Sequence, residues 1–334
     1  MILESVERAP EAFQQPLTAE QITALARRTF GEAAEAVSAI ELGDGTYNST
    51  YRVTLASGFE SILRVAPDPA RQLRSEQVLM RNEHAAAPYF APIAALLPRT
   101  LGVDFTHDLI GRDYMFQTIV PGISAREGLE KYPRERWTSF FRDLGAITKR
   151  IHAVRGERFG PLVGPSFATW SESVIAALID IIADLDDAGL DAEDAREVLG
   201  VAVGGRAILD EVCEPRLLHG DLWTINVMLE PDAVEPTVSG LFDCDRVTWG
   251  DPESDWAIYR AAGRPGTERD AFWETYGPLD DSAEARWRRL LYQARNIAAA
   301  RLERHRLGHE VSSSYEELDS VLDQLAESPL ISLI

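Results

Sequence analysis

The sequence predicts an α+β protein of two lobes, an antiparallel sheet interrupted by one helix and then a mainly α-helical half. Three observations carry this. At 334 residues the chain exceeds the average domain of about 150. Its first third alternates short β-rich runs with Gly and Asp turns. Beyond Pro121-Gly122 the apolar residues recur at the spacing of long helices. The division expected is residues 1–116 for a first lobe, 117–122 for a connector and 123–334 for a second lobe. A cleft between two such units is a natural place for a ligand.

Residues 18–30 have helical apolar spacing, with Thr18 as N-cap before Ala19-Glu20-Gln21. Strands are expected at 38–42, 50–55, 61–65 and 114–120, separated by turns such as Gly43-Asp44-Gly45 and Ser57-Gly58. Between the third and fourth strands, residues 70–89 read as a helix burying Leu73, Val78, Leu79 and Ala86. In the second half, helices are expected at 134–154, 170–188, 191–211, 270–276, 283–307 and 315–327. Two strand-and-loop units, 217–229 and 238–247, interrupt them and are rich in polar residues. The sequence has no internal repeat and no low-complexity tract.

With 45% apolar and 26% charged residues, the composition is that of a folded globular chain with a substantial core. The formal charge of −21 repels nucleic acid and anionic membrane, so neither is expected as a partner. It would steer a cationic ligand inward, although an acidic surface also serves solubility alone. Two cysteines, Cys213 and Cys244, are too few for a disulfide scaffold and fit a reducing cytoplasm. The first residues lack the apolar run of a signal peptide, and no stretch of about 20 apolar residues occurs. A soluble cytoplasmic monomer or homodimer is expected.

Chemistry concentrates in Leu217-Leu218-His219-Gly220-Asp221-Leu222-Trp223-Thr224-Ile225-Asn226-Val227, followed by Leu241-Phe242-Asp243-Cys244-Asp245. Two apolar strands thus deliver polar side chains next to one another. Phosphoryl transfer needs a group that accepts the hydroxyl proton and oxygen ligands that hold magnesium on nucleotide phosphates. Asp221, Asn226 and Asp243 supply both kinds. Upstream, the run Gly43-Asp44-Gly45-Thr46-Tyr47-Asn48 lies between two strands, where backbone amides can close over phosphates; a hairpin turn explains the same residues.

The segment from His219 to Asn226 resembles the catalytic loop HGDxxxxN of the aminoglycoside phosphotransferase family, and Gly250-Asp251-Pro252-Glu253-Ser254-Asp255 is similar to the family's GDPxxD stretch. The resemblance implies a protein-kinase-like fold and magnesium-dependent transfer of the γ-phosphate of ATP or GTP to a hydroxyl of a small molecule. It points first to a cationic antibiotic of aminoglycoside or basic peptide type. It makes Asp221 the catalytic base, His219 a residue that shapes the loop, Asn226 and Asp243 the Mg2+ ligands, and Asp255 a support for the loop. On the third strand Arg64 stands where the family usually has lysine, and it would hold the nucleotide phosphates with Gly43, Gly45 and Asn48 above them. Glu83 is preferred to Glu76 as its partner, because its distance to Pro98 better resembles the family. The stretch 114–122 resembles the interlobe connector, with backbone groups of Gln117, Thr118 and Ile119 facing a purine edge.

On the acceptor side, Asp245 and Glu253 lie beside the catalytic motifs and are the carboxylates expected to meet amino groups. The acids between Asp180 and Asp194, and the arginines from Arg286 to Arg306, read as solvated helix faces. Trp223, Trp249 and Trp256 would stack on a ring or pack in the core. A kinase of choline, homoserine, fructosamine, a macrolide or a nucleoside antibiotic shares every motif. A nucleotide-binding pseudokinase is suggested only by Arg64, and the three intact catalytic residues oppose it.

Overall fold

The Gln21 amide donates to the Thr18 hydroxyl at 3.2 Å and the Thr18 amide to the Gln21 side chain at 2.9 Å, a capping box that opens α1 (Ala19–Phe30). This is so in the computed structural model of the chain, which describes residues 1–9, 12–43 and 45–330. The apolar stripe of α1, Ile22, Leu25 and Ala26, packs on Tyr51, Leu63 and Phe116 of the adjoining sheet.

That sheet contains β1 (Ile2–Glu4), β2 (Ala36–Leu42), β3 (Ser49–Leu55), β4 (Glu60–Val65), β5 (Thr100–Asp104) and β6 (Tyr114–Gln117), in the order β1-β2-β3-β4-β6-β5. Its pairings are antiparallel except β1 with β2, which is parallel. Alternation along β3 buries Ser49, Tyr51, Val53 and Leu55 on one face. Strands β1 and β5 are not expected from the sequence. The strand expected at 114–120 stops at Gln117, where the chain turns toward the connector.

The helix expected at 70–89 is a correction. Two short 3-10 turns, Pro69–Arg71 and Arg74–Glu76, precede α2 (Leu79–Ala86). Tertiary partners break the helix: Glu76 is held by Arg306 at 2.8 and 2.9 Å, and Arg74 is drawn to Asp184, both in the second half of the chain.

The second half begins with β7 (Ile123–Ser124), α3 (Ala125–Gly128) and α4 (Trp137–His152), then β8 (Gly160–Pro161) and α5 (Trp170–Asp187). Next come α6 (Glu193–Gly204) and α7 (Arg206–Leu209), where one helix was expected across 191–211. The break falls at Gly205, which lies so close to Trp287 that a Cβ would sit 2.1 Å from the indole. Two three-stranded ribbons carry the polar motifs. In one, β10 (Val227–Leu229) lies between β11 (Val238–Leu241) and β7; in the other, β12 (Thr248–Gly250) lies between β9 (Arg216–Leu218) and β8. Helices α8 (Trp256–Ala262), α9 (Ala271–Tyr276), α10 (Ala283–Arg306) and α11 (Ser312–Ala326) complete the chain. One core forms around α4, α9 and the ribbons, and another between α5, α6, α10 and α11. Among the described residues no helix is long and apolar enough to cross a membrane.

Asn82 of α2 links the two halves with every polar atom of its side chain. Its amide nitrogen donates to the Asp245 and Val247 carbonyls at 3.0 and 2.6 Å, and its oxygen accepts from the Leu162 and Val163 amides at 2.8 and 3.1 Å.

Candidate active site

Strand β9 ends at Leu218, and the next two amides, of His219 and Gly220, donate to the Asp255 carboxylate at 2.9 and 3.1 Å. The turn requires glycine: Gly220 has φ +82°, and a Cβ there would lie 2.3 Å from the Arg246 carbonyl oxygen. His152 Nε2 also meets Asp255 at 2.9 Å, and its Nδ1 meets the Tyr276 hydroxyl at 2.8 Å. Burial opposes ionisation of Asp255, but the His152 hydrogen bond and charge prevail and hold its carboxyl below the usual range. His219 is fully buried, which lowers its basicity, and its Nε2 lies 3.3 Å from Cys244 Sγ. His219 is therefore a packing element of the loop, set away from solvent.

Asp221 follows this anchored turn and is partly buried. Asn226 Nδ2 donates to its carbonyl at 2.8 Å and to its Oδ2 at 2.9 Å. Burial pushes the Asp221 carboxyl up to about 7, against the pull of the Arg246 charge, and Asp243 adds to the rise. Since Asn226 spends its nitrogen on Asp221, its Oδ1 is turned to other use and has no partner among the described residues. The Asn226 carbonyl accepts from Phe242 N at 3.1 Å, which ties this loop to the one bearing Asp243.

Asp243 has φ +63°, a left-handed conformation that costs a non-glycine residue free energy and is often kept at functional sites. Its carboxylate meets Arg64. Burial favours the neutral acid, but the Arg64 guanidinium holds Asp243 below the usual carboxylate range. Arg64, buried on β4, also pairs with Glu83 and lies 3.5 Å from Asp245. Burial disfavours its charge, yet the three carboxylates raise its pKa. Glu83, Asp243 and Asp245 each bring an oxygen within 4.8 Å of the others. The donor set of Asn226 Oδ1 and Asp243, all hard oxygen, suits a magnesium ion.

Glu76, the other glutamate considered for Arg64, is instead bound by Arg306 at 2.8 and 2.9 Å. Gly43, Gly45 and Asn48 lie in the loop between β2 and β3; Asp44 is outside the described residues. Gln14 Nε2 donates to the Gly45 and Asn48 carbonyls at 3.0 and 2.8 Å, and the Thr46 hydroxyl meets Glu303 at 3.3 Å. Gln117 turns its side-chain amide to Glu83 at 2.9 Å, and Thr118 N donates to the Arg99 carbonyl at 2.9 Å. The amides of Ile119 and Val120 have no acceptor among the described residues.

Asp245 and Glu253 are not brought together. Asp245 is buried against Arg64, where burial and the Asp243 charge push its carboxyl well above the usual range. Glu253 pairs with Arg289 and accepts from the Asp280 amide at 3.1 Å. Sequence reasoning missed Arg246 and Glu303, both close enough to act on Asp221, and Gln14 and Arg306, which hold the β2–β3 loop and Glu76. No short-range pattern marks any of them.

A buried arginine on a sheet strand, paired with a glutamate of the neighbouring helix and facing a hairpin that presents an aspartate, an asparagine and a second aspartate, defines the class of bilobal small-molecule kinases. A profile described as the phosphotransferase enzyme family matches residues 38–291, and the chain belongs to that family. Its fold is that of solved aminoglycoside kinases. It aligns with the GDP complex of aminoglycoside 2'-phosphotransferase-IIIa at TM-score 0.62 and 15% identity, over 92% of this chain and 99% of the other. A thermostable mutant of aminoglycoside phosphotransferase APH(4)-Ia, in ternary complex with AMP-PNP and hygromycin B, aligns at 0.63 and 16%, over 92% and 100%. A candidate fructosamine-3-kinase from Thermobifida fusca aligns at 0.60 and 21%, over 92% and 98%. Among curated proteins, none matches the sequence.

Proposed function

We propose that the protein transfers the γ-phosphoryl group of ATP or GTP to a hydroxyl of a small molecule, with Asp221 as the base. The observation that carries this is the Asp221 carboxyl held by Asn226 at 2.9 Å, next to a loop whose aspartate meets the buried Arg64; burial raises that carboxyl toward the range of a general base. Asp221 accepts the hydroxyl proton as the acceptor oxygen forms its bond to the γ-phosphorus. The bond from that phosphorus to the bridging oxygen breaks, and the nucleoside diphosphate leaves. Arg64 places a fixed positive charge against the phosphates, and Glu83 holds its guanidinium in place. A magnesium ion bound by Asn226 Oδ1 and Asp243 would neutralise phosphate charge. The free amides of Ile119 and Val120 are suited to a purine edge.

Support for a cationic acceptor, an aminoglycoside or basic peptide, comes from the charge of −21 and from neighbours crystallised with kanamycin or hygromycin B. Asp245 and Glu253 do not add to it, because each faces an arginine. The reading is therefore confined to a small hydroxyl compound. It is tested by nucleotide consumption with ATP and GTP against aminoglycosides, peptide antibiotics, macrolides, nucleoside antibiotics, choline, homoserine and hydroxy acids, with mass spectrometry of products. A phosphorylated product that disappears in Asp221→Asn supports it, and tight nucleotide binding without transfer to any acceptor speaks for a pseudokinase.

A further inference from the structure

Between α8 and α10 lies a cavity of about 600 Å³ whose charged lining is Arg260, Arg264, Arg269, Arg286, Arg289 and Glu253. Two of these arginines are neutralised: Arg289 by Glu253, and Arg286 by Asp281 at 2.7 Å. The other three, Arg260, Arg264 and Arg269, have no carboxylate within 4.0 Å among the described residues. In a chain with 54 acidic and 33 basic side chains, a cluster of uncompensated arginines runs against the composition.

The cluster is also built. Arg260 and Arg269 stand over the Trp223 ring at 5.4 and 5.0 Å, and Arg260 over Trp256 at 5.7 Å. Arg269 Nη1 donates to the Arg260 carbonyl at 2.7 Å, which fixes the two arginines relative to each other. The Nε atoms of both are buried without an acceptor. Burial, then the charges of Arg260 and Arg264, lower the basicity of Arg269, as expected of cations forced together. A group with several anionic oxygens would relieve this repulsion and fill the unused donors in the forked geometry that guanidinium groups favour.

Two elements connect the cavity with the catalytic loop. Trp223, beneath the two arginines, is two residues past Asp221. Helix α10 lines the cavity with Gln293 and Asn296 and reaches Glu303, which acts on Asp221, seven residues or about 10 Å beyond Asn296.

We infer that the acceptor of this kinase carries an anionic group, carboxylate or phosphate, seated among Arg260, Arg264 and Arg269 while its hydroxyl faces Asp221. This rests on the kinase reading above. It makes the cavity a specificity site of opposite sign to one built for amino groups. The test uses the full chain saturated with AMP-PNP and magnesium, titrated calorimetrically with two sets of matched probes: D-glucose 6-phosphate and D-gluconate against D-glucosamine and D-glucose. Anionic probes should bind at least about tenfold tighter than their amino and neutral counterparts. That preference should vanish in Arg260→Gln/Arg269→Gln with AMP-PNP affinity unchanged. Arg264 is exposed, so Arg264→Gln provides the same comparison, with a smaller loss, if the double variant does not fold. The inference is overturned if glucosamine binds as tightly as the anions, if neither kind binds, or if the arginine variants leave anion binding unaltered. Failure of AMP-PNP itself to bind overturns the kinase reading instead, and with it the assignment of the anion to an acceptor.

Discussion

Asp221 is a carboxyl whose surroundings set its working range. It is raised from an ordinary 3.8 to about 7, so it is mostly protonated, and useless as a base, below that value. The dependence of kcat/KM on pH should therefore rise through an apparent pKa near 7 and flatten above it. A limb near 4 would show that burial does not govern the group. Arg64 is the second decisive residue, because it contacts Glu83, Asp243 and Asp245 at once. Arg64→Ala leaves these carboxylates buried without a cation and should cost about 3–5 kcal/mol in urea unfolding. Arg64→Lys keeps the charge but loses the fork, and should weaken nucleotide binding by about tenfold in calorimetry. A Lys variant with unchanged affinity would remove Arg64 from phosphate binding.

Among the elements, α2 does the most to set the site, since it carries Glu83 toward β4 and Asn82 toward the second half. Asn82→Ala leaves four backbone groups without their partner, two of them buried, and should cost about 2–4 kcal/mol of stability, read from the urea midpoint; a change below about 0.5 kcal/mol would show that the link is replaceable. What was legible in the sequence divides along the same line. The capping box of α1 and the alternation of β3 are local, and the expected and observed boundaries differ by one residue. The His219–Asn226 turn was legible because Gly220 ends an apolar strand and polar residues follow it in a short, ordered run. Strand β5 was not, since Thr100–Asp104 is partly exposed along four of its five residues and shows no alternation. The helix at 70–89 was overextended because Arg74 and Glu76 take partners far away in sequence. Arg246 and Glu303 were invisible for the same reason: their proximity to Asp221 exists only once the chain has folded.

Over the whole molecule, the C-terminal end of α10 reaches back to the first half. Arg306 binds Glu76 and stands 4.2 Å above the Phe13 ring, and Glu303 meets Thr46 in the loop between β2 and β3. This end of α10 braces the loop proposed to cover the phosphates. Arg306→Ala should raise amide exchange in residues 45–48 and weaken nucleotide binding about three- to tenfold, while leaving the pH profile of kcat/KM in place. Unchanged exchange there would mean that Gln14 and Glu303 hold the loop without Arg306.

The central claim, that Asp221 is the base of a phosphotransferase, is tested most directly by measuring transfer and nucleotide affinity together in the Asp221→Asn variant. The asparagine keeps the shape of the side chain and leaves Asn226 and Asp243 intact. Transfer should fall about a thousandfold with the Kd for magnesium AMP-PNP unchanged. Turnover like that of the unaltered protein would contradict the account.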